Sequence, residues 1–150
     1  MGRRGNRARA RDHRLSVNAA YKAGVLKCAY WNARGLKSKA KLEELVGTMN
    51  DQKINIMFVD ETHHKLGENV DLSALRGYTV HSAERSADSK QGGGKLVVID
   101  RSVFHVRWEP SLQDNAWVNQ ERMWILVYNG AEKLAFCSVY MAAEVGGARD

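Results

Sequence analysis

Two short apolar runs with a helix pattern between them constrain the fold more than any other feature of the sequence. Residues 25–32 (VLKCAYWN) and 54–59 (INIMFV) have the length and apolar content of strands that are buried on both faces of a sheet. Ser38 is a suitable N-cap for a helix between them. Four apolar residues then recur at the spacing of an amphipathic helix: Leu42, Leu45, Val46 and Met49. This order predicts a βαβ unit with parallel strands and a right-handed crossover.

From Gly77 onward the pattern changes to strand-like runs without long helical patterns between them. The runs cover residues 78–83, 95–100, 103–108, 123–128 and 134–140. Asn129 and Gly130 form a turn signal between the last two runs. The sequence therefore predicts an α/β domain whose mixed sheet begins with parallel strands and continues with antiparallel hairpins. A length of 150 residues fits one such domain.

Positive charge is concentrated at the N-terminus. Residues 1–14 contain one acid, Asp12, and six arginines: Arg3, Arg4, Arg7, Arg9, Arg11 and Arg14. This segment contributes +5 to the formal net charge of +6, which leaves +1 for residues 15–150. Residues 1–24 show no apolar period, so they predict a disordered basic tail before a domain over residues 25–150. Such a tail can neutralise phosphates or direct nuclear import, and it can equally be a solvated segment without function.

The location of the protein is predicted from two missing signals. No stretch approaches the roughly 18 apolar residues that span a bilayer. The N-terminus lacks the apolar region of a secretory signal. We therefore expect a soluble intracellular protein without a membrane partner, and the arginine cluster makes the nucleus a candidate location.

Polar residues end both predicted parallel strands. Asn32 ends the first, and Glu61 follows the second. Open α/β sheets place ligands outside the carboxyl ends of parallel strands, so this amide and carboxylate should converge at one edge. A hard cation such as Mg²⁺ prefers oxygen ligands of this kind. Polar residues also end strands simply because the chain meets water there, and the pattern alone leaves both interpretations open.

Two motifs at these strand ends resemble the opening motifs of the endonuclease/exonuclease/phosphatase superfamily. Residues 30–36 (YWNARGL) match its strand-terminal WNxxGL motif, and residues 59–63 (VDETH) match the motif that carries its metal-binding glutamate. Residues 92–99 (GGGKLVVI) are similar to its glycine-led strand, and residues 139–142 (VYMA) stand at the place of its VYxP segment. The residues of the first two motifs most resemble those of the apurinic-endonuclease-like domains of non-LTR retrotransposons.

The resemblance implies a fold, a reaction and roles for three residues. The fold is the N-terminal half of a two-sheet α/β sandwich, DNase I-like, and the reaction is nicking of DNA with Mg²⁺ or Mn²⁺. Glu61 would be the metal ligand, Asn32 would bind catalytic groups or the scissile phosphate, and Tyr140 would contact the phosphate or steady the nucleophile. In the family, water or hydroxide attacks phosphorus in line while the metal stabilises charge on the phosphoryl oxygens.

Three departures from the family pattern limit the implied activity. Arg34 stands where some relatives carry an acid, and its guanidinium would favour a phosphate over a metal. The proline expected after Tyr140 is absent. The family's later Asp-x-Asn motif and its closing Asp-His pair would lie beyond Asp150, and His63 and His64 cannot replace that histidine because adjacent residues of an extended segment point to opposite faces. We therefore expect a truncated domain that hydrolyses DNA weakly or not at all.

Two other interpretations remain open. The chain can be a catalytically silent nucleic-acid-binding remnant, or a partial gene product without a role of its own. In the first case the binding residues would be Arg34 and the tail arginines Arg3, Arg4, Arg7, Arg9 and Arg11. Salt-dependent DNA binding that needs the tail and does not need Mg²⁺ would favour this interpretation.

Several residues that suggest sites have simpler interpretations. The Gly92–94 run lacks the GK[ST] of a phosphate loop and predicts a bend that enters a strand. The two cysteines, Cys28 and Cys137, lie in apolar runs and predict buried thiols. Trp108 and Trp124 lie in strand patterns and predict core positions, which leaves Trp117 as the candidate for an exposed aromatic that stacks on bases.

Overall fold

The strands form two sheets. A computed structural model describes residues 25–84, 93–108, 120–129 and 131–141. Within these ranges the elements are β1 (Cys28–Asn32), α1 (Lys39–Asp51), β2 (Ile56–Asp60), a short 3-10 helix (Ser73–Leu75), β3 (Tyr78–Ala83), β4 (Lys95–Asp100), β5 (His105–Trp108), β6 (Gln120–Asn129) and β7 (Glu132–Met141). The predicted basic tail, Trp117 and Gly130 lie outside the described residues.

The pairing of the strands confirms the predicted mixed α/β architecture. The first sheet has four strands in the order β1-β2-β4-β3, and the second has three in the order β5-β6-β7. β1 and β2 are parallel, with Asn32 opposite Asp60, and the crossover between them contains α1. All other pairs among the described strands are antiparallel. This is the predicted βαβ unit followed by hairpins.

Helix α1 forms where the apolar period predicts it. The Ser38 side chain caps it by accepting a 3.3 Å hydrogen bond from the backbone N–H of Lys41. Its apolar stripe packs on one face of the first sheet and contains the buried residues Leu42, Leu45 and Met49, with Val46 partly buried beside them. In the part of the chain that the structure describes, no helix is long and apolar enough to span a membrane.

The opposite face of the first sheet packs on the second sheet. This second core is formed by alternate residues of β2, β4 and β6 together with one loop residue: Ile56 and Phe58, Val97 and Ile99, Met123, Ile125 and Val127, and Val103. β2 therefore has buried residues on both faces, as its apolar run predicts. The two sheets and α1 form three stacked layers, and the ends of β1 and β2 lie at one border of this stack.

Three burial predictions are wrong. The sequence predicts that β1 is buried on both faces, but its residues alternate between exposed and partly buried, and Tyr30 is 60% exposed. Cys28 is an exposed residue for the same reason, although partial burial of its thiol raises the pKa of that group to about 11. Within the described residues β1 is the outermost strand of its sheet, and an apolar run does not distinguish an edge strand from a central one. Neither Trp108 nor Trp124 is a core residue, because Trp108 is 39% exposed on the outer face of the second sheet and contacts there the partly buried Trp124.

The C-terminus of α1 contains a strained lysine that provides a stability prediction. Lys53 has φ 54°, and the hydrogen bonds from Lys53 N–H to Asn50 O and from Ile54 N–H to Met49 O form a Schellman motif. A left-handed conformation costs a non-glycine residue about 1–2 kcal/mol, and a glycine at this position would remove that strain. The greater flexibility of glycine in the unfolded chain would cancel about 0.5–1 kcal/mol of the stability gained. Lys53→Gly should therefore raise the free energy of unfolding by about 0.5–1 kcal/mol in urea titration. Lys53→Ala, which keeps the strain, should leave it nearly unchanged.

A histidine pair links the two sheets. His81 of β3 and His105 of β5 approach to 2.9 Å between their Nε2 atoms, and His105 Nδ1 lies 2.8 Å from the carbonyl oxygen of Val103. Because a carbonyl only accepts, His105 donates from Nδ1, and a hydrogen bond between the two Nε2 atoms leaves one of these atoms without a proton. The two rings therefore cannot both carry a positive charge while this contact is formed.

The stability of this contact should depend on pH. Burial, followed by the charges of His105 and Arg107, lowers the pKa of His81 below its ordinary value of 6.5. The unfolded chain then binds the proton more tightly than the folded one, so the free energy of unfolding should fall as the pH drops below about 6.5. Urea titrations at several pH values between about 5 and 8 measure this slope. His81→Gln should show a smaller slope, and an equal slope in both proteins would contradict the prediction.

Candidate functional site

Backbone hydrogen bonds bring the two predicted strand-end motifs side by side. The segment after β1 donates to the segment after β2 through three such bonds: Ala33 N–H to Asp60 O at 2.9 Å, Gly35 N–H to Glu61 O at 2.6 Å, and Leu36 N–H to Thr62 O at 2.9 Å. Asn32 and Glu61 therefore lie at the same border of the molecule, as the parallel topology predicts. We call this border, with Asn32, Glu61 and the Tyr140 side chain that contacts Glu61, the strand-end site.

The loop after β1 is fixed by a lysine of α1. Lys41 Nζ donates to the carbonyl oxygens of Ala33 at 2.6 Å and Gly35 at 2.9 Å. The Oδ1 atom of Asn32 accepts a 3.2 Å hydrogen bond from the backbone N–H of Arg34, and both side chains are exposed. The loop thus presents an amide and a guanidinium to solvent at the strand-end site. Sequence analysis did not identify Lys41, although its position in the first turn of the predicted helix was a usable signal.

Glu61 and Tyr140 are joined directly across the two sheets. The Tyr140 hydroxyl donates a 2.9 Å hydrogen bond to Glu61 Oε1. Glu61 is partly exposed, and its backbone has φ 54°. A left-handed conformation at a non-glycine residue is strained, and such strain concentrates at functional sites. The structure therefore brings Glu61 and Tyr140 into contact, and the parallel pairing of β1 and β2 places Asn32 at the same border.

The segment after Glu61 rests on the glycines before β4. Gly93 and Gly94 have positive φ, in agreement with the predicted bend, and their carbonyl oxygens accept from His63 N–H at 2.8 Å and Thr62 N–H at 3.2 Å. His64 is buried, and its Nε2 lies 2.7 Å from the carbonyl oxygen of Leu36. His63 is partly exposed. The two histidines thus have different environments, and His64 helps to join the two motif segments.

A buried polar cluster lies directly behind Glu61. Lys95 Nζ forms an ion pair with Asp60 and donates to Ser138 Oγ at 2.9 Å. The side chains of Lys95 and Asp60 are 0% and 1% exposed. Asp60 ends β2, Lys95 begins β4, and Ser138 precedes Tyr140 by two residues on β7. Sequence analysis missed this cluster, although a lysine inside an apolar strand was a signal for a buried charge that needs a partner.

Tyr30 is a second aromatic residue near the carboxylates. Tyr30 and Asp60 are diagonal neighbours on one face of the β1–β2 pair. The pKa of the Tyr30 hydroxyl is raised by partial burial and then by the negative charges of Asp60 and Glu61. Both carboxylates therefore act electrostatically on this hydroxyl, which sequence analysis did not assign to the site.

The donors at the strand-end site fit a weakly held Mg²⁺ or Mn²⁺ ion. Mg²⁺ commonly binds one or two carboxylates, keeps several waters and takes further oxygens from substrate phosphates. Glu61 offers a partly exposed carboxylate, whereas Asp60 is engaged by Lys95. Among the described residues no group of three or more His, Cys, Asp or Glu side chains is arranged to hold a metal. A cation here would depend on Glu61 and on the substrate.

The comparisons with known proteins agree with this architecture. No family model matches the chain. Over 77 residues, 51% of the chain, the sequence is 33% identical to the RNA-directed DNA polymerase from mobile element jockey of Drosophila melanogaster, of which the match covers 8%. The crystal structure of AP endonuclease LMAP from Leishmania major has a TM-score of 0.57 at 17% identity, with 78% of this chain and 40% of that chain covered.

The similarity to AP endonuclease LMAP, at 17% identity, shows the fold alone. Truncated TDP2 of Caenorhabditis elegans has a TM-score of 0.49 at 12% identity over 77% of this chain and 46% of that chain. The chain spans less than half the length of each of these solved structures and a small part of the polymerase. The similarity to a mobile-element protein accords with the retrotransposon resemblance of the motifs. The chain has a DNase I-like α/β fold, as its motifs predict.

Proposed function

We propose that this chain carries part of a Mg²⁺- or Mn²⁺-dependent phosphodiesterase site of the endonuclease type, with DNA as its substrate. The observation that carries the proposal is the hydrogen bond between Glu61 and Tyr140, which places a partly exposed carboxylate at the shared carboxyl end of two parallel strands. The superfamily fold and the similarity to a mobile-element polymerase support a nucleic acid substrate.

Each residue of the strand-end site has a proposed task. Glu61 holds the divalent cation, which when bound stabilises negative charge on the phosphoryl oxygens. The Tyr140 hydroxyl fixes the orientation of the Glu61 carboxylate by donating to Oε1. Asn32 presents its exposed amide to the scissile phosphate or its neighbours. Arg34, which is exposed in the same loop, binds a backbone phosphate.

We expect the hydrolysis to be slow. The carboxylate of Asp60 is neutralised by Lys95, so it adds little to cation binding. Both histidines near the site are also poorly placed for proton transfer to a water beside Glu61. His64 is buried against a backbone carbonyl, and the ring of His63 lies against the loop after β1. The proposal is therefore one of weak, metal-dependent nicking by this chain.

A plasmid assay tests the proposal. Purified protein is incubated with supercoiled DNA and Mg²⁺, Mn²⁺ or EDTA, and nicked circles are measured. Metal-dependent nicking should be lost in Glu61→Gln and retained in Glu68→Gln, an exposed glutamate that pairs with Lys37. If Glu61→Gln still nicks DNA, the proposed role of Glu61 is contradicted. If the folded wild-type protein does not nick DNA at all, the proposed hydrolase activity is contradicted.

A second candidate function is nucleic-acid binding without catalysis, favoured by the charge of +5 in residues 1–14. DNA binding measured at several salt concentrations should weaken steeply with salt if the tail arginines neutralise phosphates. Removal of residues 1–14 should then reduce both the DNA affinity and its dependence on salt concentration, and binding should not require Mg²⁺. Binding that is unchanged by the deletion would contradict this function.

A further inference from the structure

A fully buried ammonium group lies beside the proposed metal ligand. Lys95 and Asp60 are opposite each other in the antiparallel β2–β4 register, and Glu61 is the next residue of the chain after Asp60. The ammonium contacts the Asp60 carboxylate and the Ser138 hydroxyl. Glu61, in contrast, accepts from the neutral hydroxyl of Tyr140. Two consecutive carboxylates therefore have partners of different charge.

This difference decides which carboxylate is available to a cation. Burying a charged amino group is costly unless an opposite charge and hydrogen bonds compensate it, so the Lys95–Asp60 pair is tightly coupled. A cation that bound Asp60 would have to displace this ammonium. The hydroxyl of Tyr140 is neutral, and no described residue forms an ion pair with Glu61, so this carboxylate stays open to a metal ion.

We propose that Lys95 is a positioning residue that acts as an internal counter-ion. It keeps the Asp60 carboxylate out of the metal site and leaves Glu61 to bind a single divalent cation. The inference rests on the proposed role of Glu61 as a metal ligand. It adds that the cation affinity of the site is set by a lysine that never touches the metal or the substrate.

A purely structural role for Lys95 makes a different prediction. The cluster joins β2, β4 and β7, so any change that breaks it loosens the two sheets in the same way. Lys95→Met leaves a second unpaired carboxylate beside Glu61, whereas Asp60→Asn leaves an unpaired ammonium there. Under the counter-ion role these changes move cation affinity in opposite directions. Under a structural role they move it in the same direction.

Mn²⁺ binding to the full chain measures the difference. Free Mn²⁺ is followed by electron paramagnetic resonance in the wild type, Lys95→Met and Asp60→Asn. We expect about tenfold tighter binding for Lys95→Met and about tenfold weaker binding for Asp60→Asn, because cation affinity follows the charge of the ligand set. Ser138→Ala, which removes one hydrogen bond and no charge, should bind as the wild type does. Val127→Ala, a core change without charge, controls for loosening.

The outcomes separate this inference from the proposed function. If Lys95→Met and Asp60→Asn change the Mn²⁺ affinity equally or in the same direction, the counter-ion role is overturned. The same holds if neither the wild type nor Lys95→Met binds Mn²⁺ detectably. If Lys95→Met does not fold, Lys95→Gln removes the charge and keeps a hydrogen-bond donor, with the same expected gain. Binding by Glu61→Gln that equals the wild type overturns the metal-ligand role of Glu61 itself. If the two variants change the Mn²⁺ affinity in opposite directions but the protein does not nick DNA, the counter-ion role is supported and the proposed DNA hydrolysis is overturned.

Discussion

Replacing Lys95 with Met should lower the free energy of unfolding by about 3–5 kcal/mol, because it leaves the Asp60 carboxylate buried without its partner charge. Asp60 is 1% exposed, and the Ser138 hydroxyl, which lies 3.5 Å from its Oδ1 atom, is uncharged. Loss of one member of a buried pair costs far more than loss of an exposed one. Urea titration followed by tryptophan fluorescence measures the change.

Two controls separate the burial of charge from the loss of packing. The double variant Asp60→Leu with Lys95→Met replaces the pair with apolar side chains, and such replacements are often neutral or stabilising, so most of the lost stability should return. Lys37→Met removes an ion pair whose side chains are 44% and 33% exposed, and it should cost no more than about 1 kcal/mol. A double variant as unstable as Lys95→Met would show that the ammonium matters through packing and not through charge.

Features that depend on period and topology could be predicted from the sequence. Helix α1 follows from the spacing of its apolar residues and from the Ser38 cap, both of which are local. The convergence of Asn32 and Glu61 follows from parallel topology, since both residues end neighbouring strands. The contact between Glu61 and Tyr140 joins residues 79 positions apart in different sheets, and no local pattern predicts it. Only the resemblance to the superfamily indicated that these two residues belong to one site.

The errors have a shared physical origin in the position of a strand within its sheet. An apolar run indicates that a strand packs against a hydrophobic core, but it does not indicate whether that strand lies at the edge or in the centre of its sheet. β1 and β2 have similar runs, yet β2 is buried throughout while Tyr30 of β1 is 60% exposed. The partner of Lys95 could not be inferred either, because Asp60 lies opposite it only through the register of β2 and β4. Cross-strand register is tertiary information.

Gly94→Ala should be the second large destabilisation, at about 2–4 kcal/mol. Gly94 has φ +82°, which strains any residue with a side chain. A methyl group there would also lie 2.5 Å from Thr62 Oγ1 and 3.4 Å from backbone atoms of His64. Thr62 is fully buried, so it cannot move aside without shifting the segment that carries Glu61. The variant should therefore reduce both stability and any activity that depends on Glu61.

The strain and the steric overlap can be measured separately. Gly67 has φ +79°, and a methyl group at that position would have no neighbouring atom within 4 Å among the described residues. Gly67→Ala should therefore cost only the conformational strain less the flexibility of glycine, a net of about 0.5–1 kcal/mol. Thr62→Ala removes the hydroxyl that Gly94→Ala would meet, and the double variant should be less destabilised than the sum of the two single changes. Additive effects would show that the backbone of His64, and not Thr62, opposes the methyl group. In either case a glycine is needed before β4, because the loop that carries Glu61 lies directly against it. The conformation of this bend therefore helps to determine the position of the proposed metal ligand.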